Sequence, residues 1–202
     1  MHPNIVTSNS EIHFYDRDEN FAKGYSWYKA QMPLSYNNQI TLEKTPCYIW
    51  SERALNEIYK LNKKTKLIVI FKDPVARLVS MKLTVRLIIC PYFKYFQIHI
   101  LEGSDFTKDP ATEITKLETF LQVPHFITEK NFYFNTTKGF FCMRPLHTSK
   151  GSCLGDNKGR QYPRLDPFVE KRLYEYYREH NEQLFQLLGR RYSWNAPDYI
   201  RS

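Results

Sequence analysis

The chain has 202 residues, enough for one globular domain with a sizeable buried core. A hydrophobic content of 42% excludes a disordered protein, and no apolar run is long enough to span a membrane. The net charge of +8 favours a polyanionic partner, which could be a nucleic acid, an acidic glycan or a phosphorylated cofactor. The polar first ten residues do not have the pattern of a signal peptide.

Three segments predict β-strands, namely Gln39–Leu42, Lys66–Phe71 and Gln97–Leu101. The middle segment is almost uniformly apolar, which is typical of a strand covered on both faces. The stretch Met81–Tyr92 fits either a helix that ends before Pro91 or a helix that leads into a short buried segment.

Helix signals lie between and after these strands. Ser51 is a candidate N-cap, and the apolar residues that follow it recur at helical spacing. Asp109-Pro110 and Asp166-Pro167 each combine a capping residue with a proline in the first helical turn, and Gly189 is a candidate end for the last helix. This alternation of strands and helices predicts an α/β fold with a parallel sheet flanked by helices.

Ligands of such sheets bind beyond the carboxyl ends of the strands. Lys44 follows the first predicted strand and Lys72 follows the second. The pattern therefore predicts that both lysines lie at the edge of one crevice.

The segment SEIHFYD, residues 10 to 16, contains two carboxylates and an imidazole. If its backbone is extended, Glu11 and His13 project from one face while Ile12 and Phe14 pack on the other. A carboxylate beside an imidazole, with Asp16 nearby, can act as a general base. The alternative is a polar edge strand whose charged side chains are solvated.

Two further segments could bind a nucleotide. In KDPVARLVS, residues 72 to 80, two cations and a serine lie near the predicted start of a helix and could bind a phosphate. The alternative is a capped helix whose cations are solvated.

In the segment from Lys138 to Arg160, aromatic residues beside Gly139 could flank an adenine ring. The alternative is a surface loop closed by a disulfide. No GxxxxGKS or GxGxxG sequence occurs in the chain.

The cysteines leave one question open. Cys142 and Cys153 bracket a short polar loop, which is compatible with a disulfide or with two free thiols. None of the four cysteines or six histidines has zinc-ligand spacing, so no metal site is predicted. Asn135-Thr136-Thr137 is a glycosylation sequon, which indicates a secretory compartment.

Taken together, the ordered motifs resemble the heparan sulfate glucosamine 3-O-sulfotransferases and, more widely, the Golgi heparan sulfate sulfotransferases. The KTP sequence and the paired late cysteines fit the 3-O class better than the N-sulfotransferase class. The motifs that carry this resemblance are SEIHFYD, WYKAQMP, EKTPCY, KDPVARLVS, NFYFNTTKGFFC and CLGDNKGR.

The resemblance implies a P-loop-like sulfotransferase fold over residues 1–202, present only in part. The implied reaction transfers a sulfuryl group from 3'-phosphoadenosine 5'-phosphosulfate to the 3-hydroxyl of glucosamine in heparan sulfate, without a metal. Glu11 is the implied base, accompanied by His13 and Asp16, and Lys44 lies near the sulfuryl group. The implied acceptor-binding residues are Lys44, Thr45, Pro46 and Cys47.

The family's cofactor residues can also be carried over. The family's residues that bind the 3'-phosphate of the cofactor correspond to Lys72 and Ser80. Phe141 stands where the family usually has a stacking tyrosine. Lys72 replaces an arginine, which keeps the charge and loses the bidentate fork. The family's later cofactor loop corresponds to Lys158, Gly159, Arg160, Gln161 and Tyr162.

Other implications concern the context of the chain. The resemblance implies a disulfide between Cys142 and Cys153 and a glycan at Asn135. It also implies a location in the Golgi lumen, with membrane attachment only through an anchor outside this chain. The family's glycine-rich, lysine-bearing loop would lie before Met1, and its long segment after Ser80 is shortened here. Two alternatives to an active 3-O-sulfotransferase remain: an inactive remnant of such an enzyme that binds heparan sulfate, and a heparan sulfate N-sulfotransferase. A nucleic-acid binder is favoured only by charge and aromatic content, so no nucleic-acid partner is expected.

Overall fold

The computed structural model describes residues 2–77, 93–144, 151–155, 165–192 and 194. Six strands lie in this part of the chain, and each of the three strands predicted from the sequence is present within one residue of its expected start. The strands are β1 Ile5–Thr7, β2 Ile40–Leu42, β3 Leu67–Phe71, β4 Ile98–Glu102, β5 Phe132–Asn135 and β6 Phe140–Met143.

Parallel pairing dominates, as the alternation of strands and helices predicts. β1 pairs with β2 so that Thr7 lies opposite Leu42, and β3 pairs with β4 so that Phe71 lies opposite Glu102. Within the described residues these are two separate parallel pairs. An antiparallel hairpin of β5 and β6, which the sequence reading did not anticipate, turns at Gly139 with φ of 71°.

The three long helices begin at the predicted caps. Ser51 Oγ accepts a hydrogen bond from Ala54 N at 3.1 Å, and Asp109 Oδ1 accepts one from Thr112 N at 3.1 Å. Asp166 Oδ1 caps the longest helix, which ends at Gly189 in the left-handed conformation. The helices are α1 Asp18–Phe21, α2 Gly24–Ala30, α3 Glu52–Leu61, α4 Pro74–Arg77, α5 Gly103–Lys108, α6 Pro110–Leu121 and α7 Pro167–Leu188.

In the residues that the structure describes, three short 3₁₀ helices occupy connections between these elements. They are Pro46–Trp50, Tyr95–Gln97 and Glu129–Asn131. No helix in the described part of the chain combines the length and the apolar character that a membrane crossing needs. The ambiguous stretch Met81–Tyr92 lies outside the described residues.

Among the described residues, the buried side chains form two clusters. The larger cluster packs β3 against α3 and α7 through residues such as Leu55, Val69 and Leu184. The smaller cluster is mainly aromatic and packs the segment after β1 against α2 and the start of α3. Ile58 of α3 contacts both clusters, so this helix links the β3–β4 core to the segment that carries Glu11 and His13.

Candidate active site

The imidazole of His13 lies between two carboxylates. His13 Nδ1 is 2.7 Å from Asp16 Oδ2, and His13 Nε2 is 3.5 Å from Glu11 Oε2. Because an ionised carboxylate can only accept, Nδ1 carries the proton in the bond to Asp16. This bond fixes the ring orientation and directs Nε2 toward Glu11.

Glu11 also pairs with Lys44, whose ammonium donates a hydrogen bond to Glu11 Oε1. This hydrogen bond is the main reason that the pKa of Glu11 lies below its ordinary value. The Glu11 side chain is 41% exposed and the Lys44 side chain 70%. The carboxylate is therefore ionised near neutral pH and open to a substrate hydroxyl.

The backbone at His13 is not extended, so the predicted strand geometry is wrong at this residue. His13 has a φ of 53°, which is uncommon for residues other than glycine and costs conformational energy. Asn20 Nδ2 donates to the carbonyls of Ile12 and His13 at 3.1 and 3.2 Å and supports this turn. Ile12 and Phe14 are nevertheless buried as expected, while Glu11 and His13 face each other.

A cleft of about 220 Å³ opens beside Glu11 and Lys44. It lies at the carboxyl ends of β1 and β2, where ligands of α/β proteins commonly bind. The sequence predicted a crevice beside Lys44 and Lys72; Lys44 lines this cleft and Lys72 does not, while the other lining residues were missed. The cleft is lined by Thr7, Ser8, Asn9, Ser10, Glu11, Leu42 and Lys44.

The KTP segment continues from Lys44 into the 3₁₀ helix that begins at Pro46. Thr45 is buried, and its hydroxyl oxygen lies 3.4 Å from the backbone N of His13. The thiol of Cys47 is exposed and unbonded to another cysteine. His13, Asp16 and Cys47 place possible metal-ligand atoms within 4.8 Å of one another, but His13 and Asp16 already hydrogen-bond each other.

Two of the expected cofactor residues lie in the described part of the chain. Lys72 is exposed directly after β3 and forms no ion pair with any described residue. Phe141 lies in β6 and packs edge-on against Phe134, with ring centroids 5.3 Å apart. An ammonium group and an aromatic ring suit the phosphate and the base of a nucleotide. The remaining expected cofactor residues, Ser80 and 158–162, lie outside the described residues.

The structure resolves the question about the late cysteines. Cys142 and Cys153 form a disulfide, with Cα atoms 4.7 Å apart. The bond joins β6 to the segment 151–155, which also pairs with the strand through Met143 and Ser152. Asn135 Nδ2, the atom that would carry a glycan, lies 3.5 Å from the Cys153 sulfur, and glycosylation there stays a prediction.

Comparison with known proteins gives consistent relatives. The heparan sulfate glucosamine 3-O-sulfotransferase 5 of Mus musculus is 34% identical to the chain and aligns with 96% of it and 68% of its own length. Heparan sulfate glucosamine 3-O-sulfotransferase 3A1 of Homo sapiens is also 34% identical, over 97% of this chain and 57% of its own length. No family model matches the chain.

The alignment with the mouse relative is 235 residues long, which exceeds the 202 residues of this chain. The aligned region therefore contains residues of the relative that have no counterpart here. Among solved structures, a sulfotransferase from Alicyclobacillus acidocaldarius superimposes with a TM-score of 0.69 at 14% identity. The match covers 96% of this chain and 89% of that one, which shows a shared fold.

Proposed function

Because this chain belongs to the heparan sulfate glucosamine 3-O-sulfotransferase family, we propose that it transfers a sulfuryl group to the 3-hydroxyl of a glucosamine residue in heparan sulfate. The donor would be 3'-phosphoadenosine 5'-phosphosulfate; its bond between sulfur and the 5'-phosphate oxygen would break as the acceptor oxygen bonds to sulfur, and 3'-phosphoadenosine 5'-phosphate would leave. The observation that carries the proposal is the ionised Glu11 carboxylate, which lies at an open cleft between Lys44 and His13.

Glu11 acts as the general base and accepts the proton of the acceptor hydroxyl. His13 Nε2 lies 3.5 Å from Glu11 Oε2, and the Asp16 carboxylate holds the imidazole in this position. General bases of this kind must lie within hydrogen-bond reach of the proton they remove, which the exposed carboxylate permits.

Lys44 has a second task in this proposal. Its ammonium pairs with Glu11, but its high exposure lets it turn toward the oxygens of the sulfuryl group as negative charge grows on them. Pro46 and Cys47, which are exposed, continue the same edge of the site and contact the acceptor sugar, whereas Thr45 is buried beside them. The charge of +8 favours a sulfated polyanion over a neutral glycan.

The nucleotide is held by residues from other elements. Lys72 and Ser80 bind its 3'-phosphate, Phe141 stacks on its base, and the loop of Lys158, Gly159, Arg160, Gln161 and Tyr162 completes the contact. Lys72 suits this task because its ammonium is exposed and pairs with no described residue. The reaction takes place in the Golgi lumen, in a chain stabilised by the Cys142–Cys153 disulfide and glycosylated at Asn135.

The test is transfer of labelled sulfate from the nucleotide to a defined heparan sulfate oligosaccharide, with the product position determined by NMR. Glu11→Gln should reduce turnover by about 10²–10⁴-fold, since general-base catalysis contributes that much, and should leave retention on heparin unchanged. Glu19→Gln makes the same charge change at an exposed position on α1 and should leave turnover unchanged.

Three results would contradict parts of the proposal. A loss below about tenfold in Glu11→Gln would show that another group is the base. Sulfate on a glucosamine nitrogen would assign the chain to N-sulfation. Heparin binding without any transfer would favour a non-catalytic binding protein, for which the residues missing relative to the mouse protein give a reason.

A further inference from the structure

The carboxylate of Glu43 lies next to the site and has no role in the proposed chemistry. Glu43 directly follows β2, is half-buried and contacts Tyr28 of the smaller core cluster. Glu43 Oε1 accepts the Thr45 hydroxyl at 2.6 Å, and Oε2 accepts the Tyr28 hydroxyl at 3.3 Å. Burial raises the pKa of Glu43, while hydrogen bonds from Thr45, Tyr28, Tyr48 and the Ile12 backbone oppose the rise.

These contacts reach the backbone next to the site. The His13 N–H is directed at the Thr45 hydroxyl oxygen at 3.4 Å, and the Phe14 N–H donates to the Tyr48 hydroxyl at 3.0 Å. Since the Thr45 hydroxyl donates in turn to Glu43, the carboxylate orders the acceptor of the His13 amide.

The backbone at this point needs such support. His13 is in the left-handed conformation, and strained backbone persists only where its surroundings hold it. Relaxation of residues 12 to 14 would turn the imidazole away from the position between Glu11 and Asp16. The atoms that Glu43 orders are therefore those that set the geometry of the base.

We infer that Glu43 is a positioning residue for the transfer reaction: through Thr45 it fixes the backbone at His13 and so places the imidazole against Glu11. This inference rests on the proposed function for its kinetic consequence, but not for its structural one. Glu43 contacts neither sugar nor nucleotide in this role, so it governs kcat and leaves the acceptor KM nearly unchanged.

The structural consequence is measured by amide hydrogen exchange, which needs no activity. Glu43→Gln keeps the size of the side chain and turns one acceptor oxygen into a donor. Exchange at residues 12 to 14 should accelerate by roughly tenfold, because hydrogen bonds to a charged acceptor are lost. Tyr48→Phe removes a single hydroxyl and should accelerate exchange mainly at Phe14.

A matched control is available on α3. Glu57 Oε2 accepts the Tyr25 hydroxyl at 2.7 Å, so Glu57→Gln disturbs a second carboxylate–tyrosine pair. The Tyr25 ring packs against Phe14, but the Tyr25 hydroxyl bonds to Glu57 and not to the backbone of residues 12 to 14. Exchange at these residues and the transfer rate should both stay at the wild-type values in Glu57→Gln.

The kinetic consequence is tested by a double-mutant cycle. Glu43→Gln should lower kcat by roughly 10- to 100-fold, as small misplacements of catalytic groups do, with little change in KM. In a His13→Ala background the same substitution should have little further effect, because there is no imidazole left to place. A substitution that merely lowered the folded fraction would reduce the rate equally in both backgrounds.

Each outcome decides the inference. Unchanged exchange at residues 12 to 14 in Glu43→Gln overturns it, whether or not the chain transfers sulfate. Accelerated exchange with an unchanged kcat, or an equal loss in the His13→Ala background, removes the positioning role. If the wild-type chain transfers no sulfate, the proposed function fails, and with it the effect of Glu43 on kcat. Hydrogen exchange still shows whether Glu43 holds the backbone.

Discussion

Lys44 lowers the pKa of Glu11 through one hydrogen bond. The bond is the leading cause of the lowered pKa of Glu11, ahead of the opposing effect of partial burial. A base with a lowered pKa stays ionised, and able to accept a proton, to lower pH. The acid limb of the rate profile should therefore report on this pair.

Lys44→Ala should move that acid limb to higher pH. The pKa of Glu11 would rise toward the ordinary glutamate value of about 4.3 once the ammonium is gone. The measurement is kcat/KM for sulfate transfer as a function of pH, and the position of the limb is compared, since the absolute rate falls as well. Lys29→Ala removes an exposed cation of α2 and should leave the limb in place. An unmoved limb in Lys44→Ala would show that Glu11 does not set it.

Helix caps act within a few residues, which is why the sequence located them. Asp109 accepts from Thr112 N and has a lowered pKa because the side chain and backbone of Thr112 donate to it. Pro110 follows in the first turn of α6, where no backbone N–H is needed. The start of α6 therefore depends on the acceptor oxygen of Asp109.

Asp109→Ala should lower the free energy of unfolding by about 1 kcal/mol, within the range for a lost N-cap. Asp109→Asn keeps an acceptor oxygen at the same place and should lose much less. Urea denaturation followed by circular dichroism measures both values at neutral pH. Equal losses in the two variants would mean that charge, and not the capping hydrogen bond, stabilises this helix end.

The whole molecule depends on how α7 covers the β3–β4 pair. Leu184 is 1% exposed in the larger cluster, among Leu55, Val69 and Phe185. Leu187, three residues later on the same helix, is 43% exposed. The two leucines have the same helix propensity and differ in burial alone.

Leu184→Ala should lower the free energy of unfolding by about 2–5 kcal/mol, because truncation removes buried methyl groups and leaves a cavity. Leu187→Ala should cost well under half as much. Chemical denaturation of both variants gives the comparison. A similar loss of stability in both variants would contradict the burial of Leu184, and not Leu187, against the β3–β4 pair.

Local rules let the sequence determine much of this protein by itself. The three helix caps, the three apolar strands and the α/β class follow from hydrogen bonds and periodicities that span a few residues. The motifs also indicated the family, and with it Glu11, His13, Asp16 and Lys44 as members of one site. Aromatic residues on both sides of Gly139 were a signal for the β5–β6 hairpin, but the sequence reading assigned them to a nucleotide site.

Only the tertiary structure decided the rest. It showed that His13 is left-handed and not extended, since contacts from Asn20 and Thr45 outweigh the local preference for an extended strand. The structure also confirms the disulfide between Cys142 and Cys153, which the resemblance implied. It brought Thr45, which bonds to Glu43, against the backbone amide of His13. His13 and Thr45 are 32 residues apart, so no local pattern encodes their contact, and it exists only once the elements around them have packed.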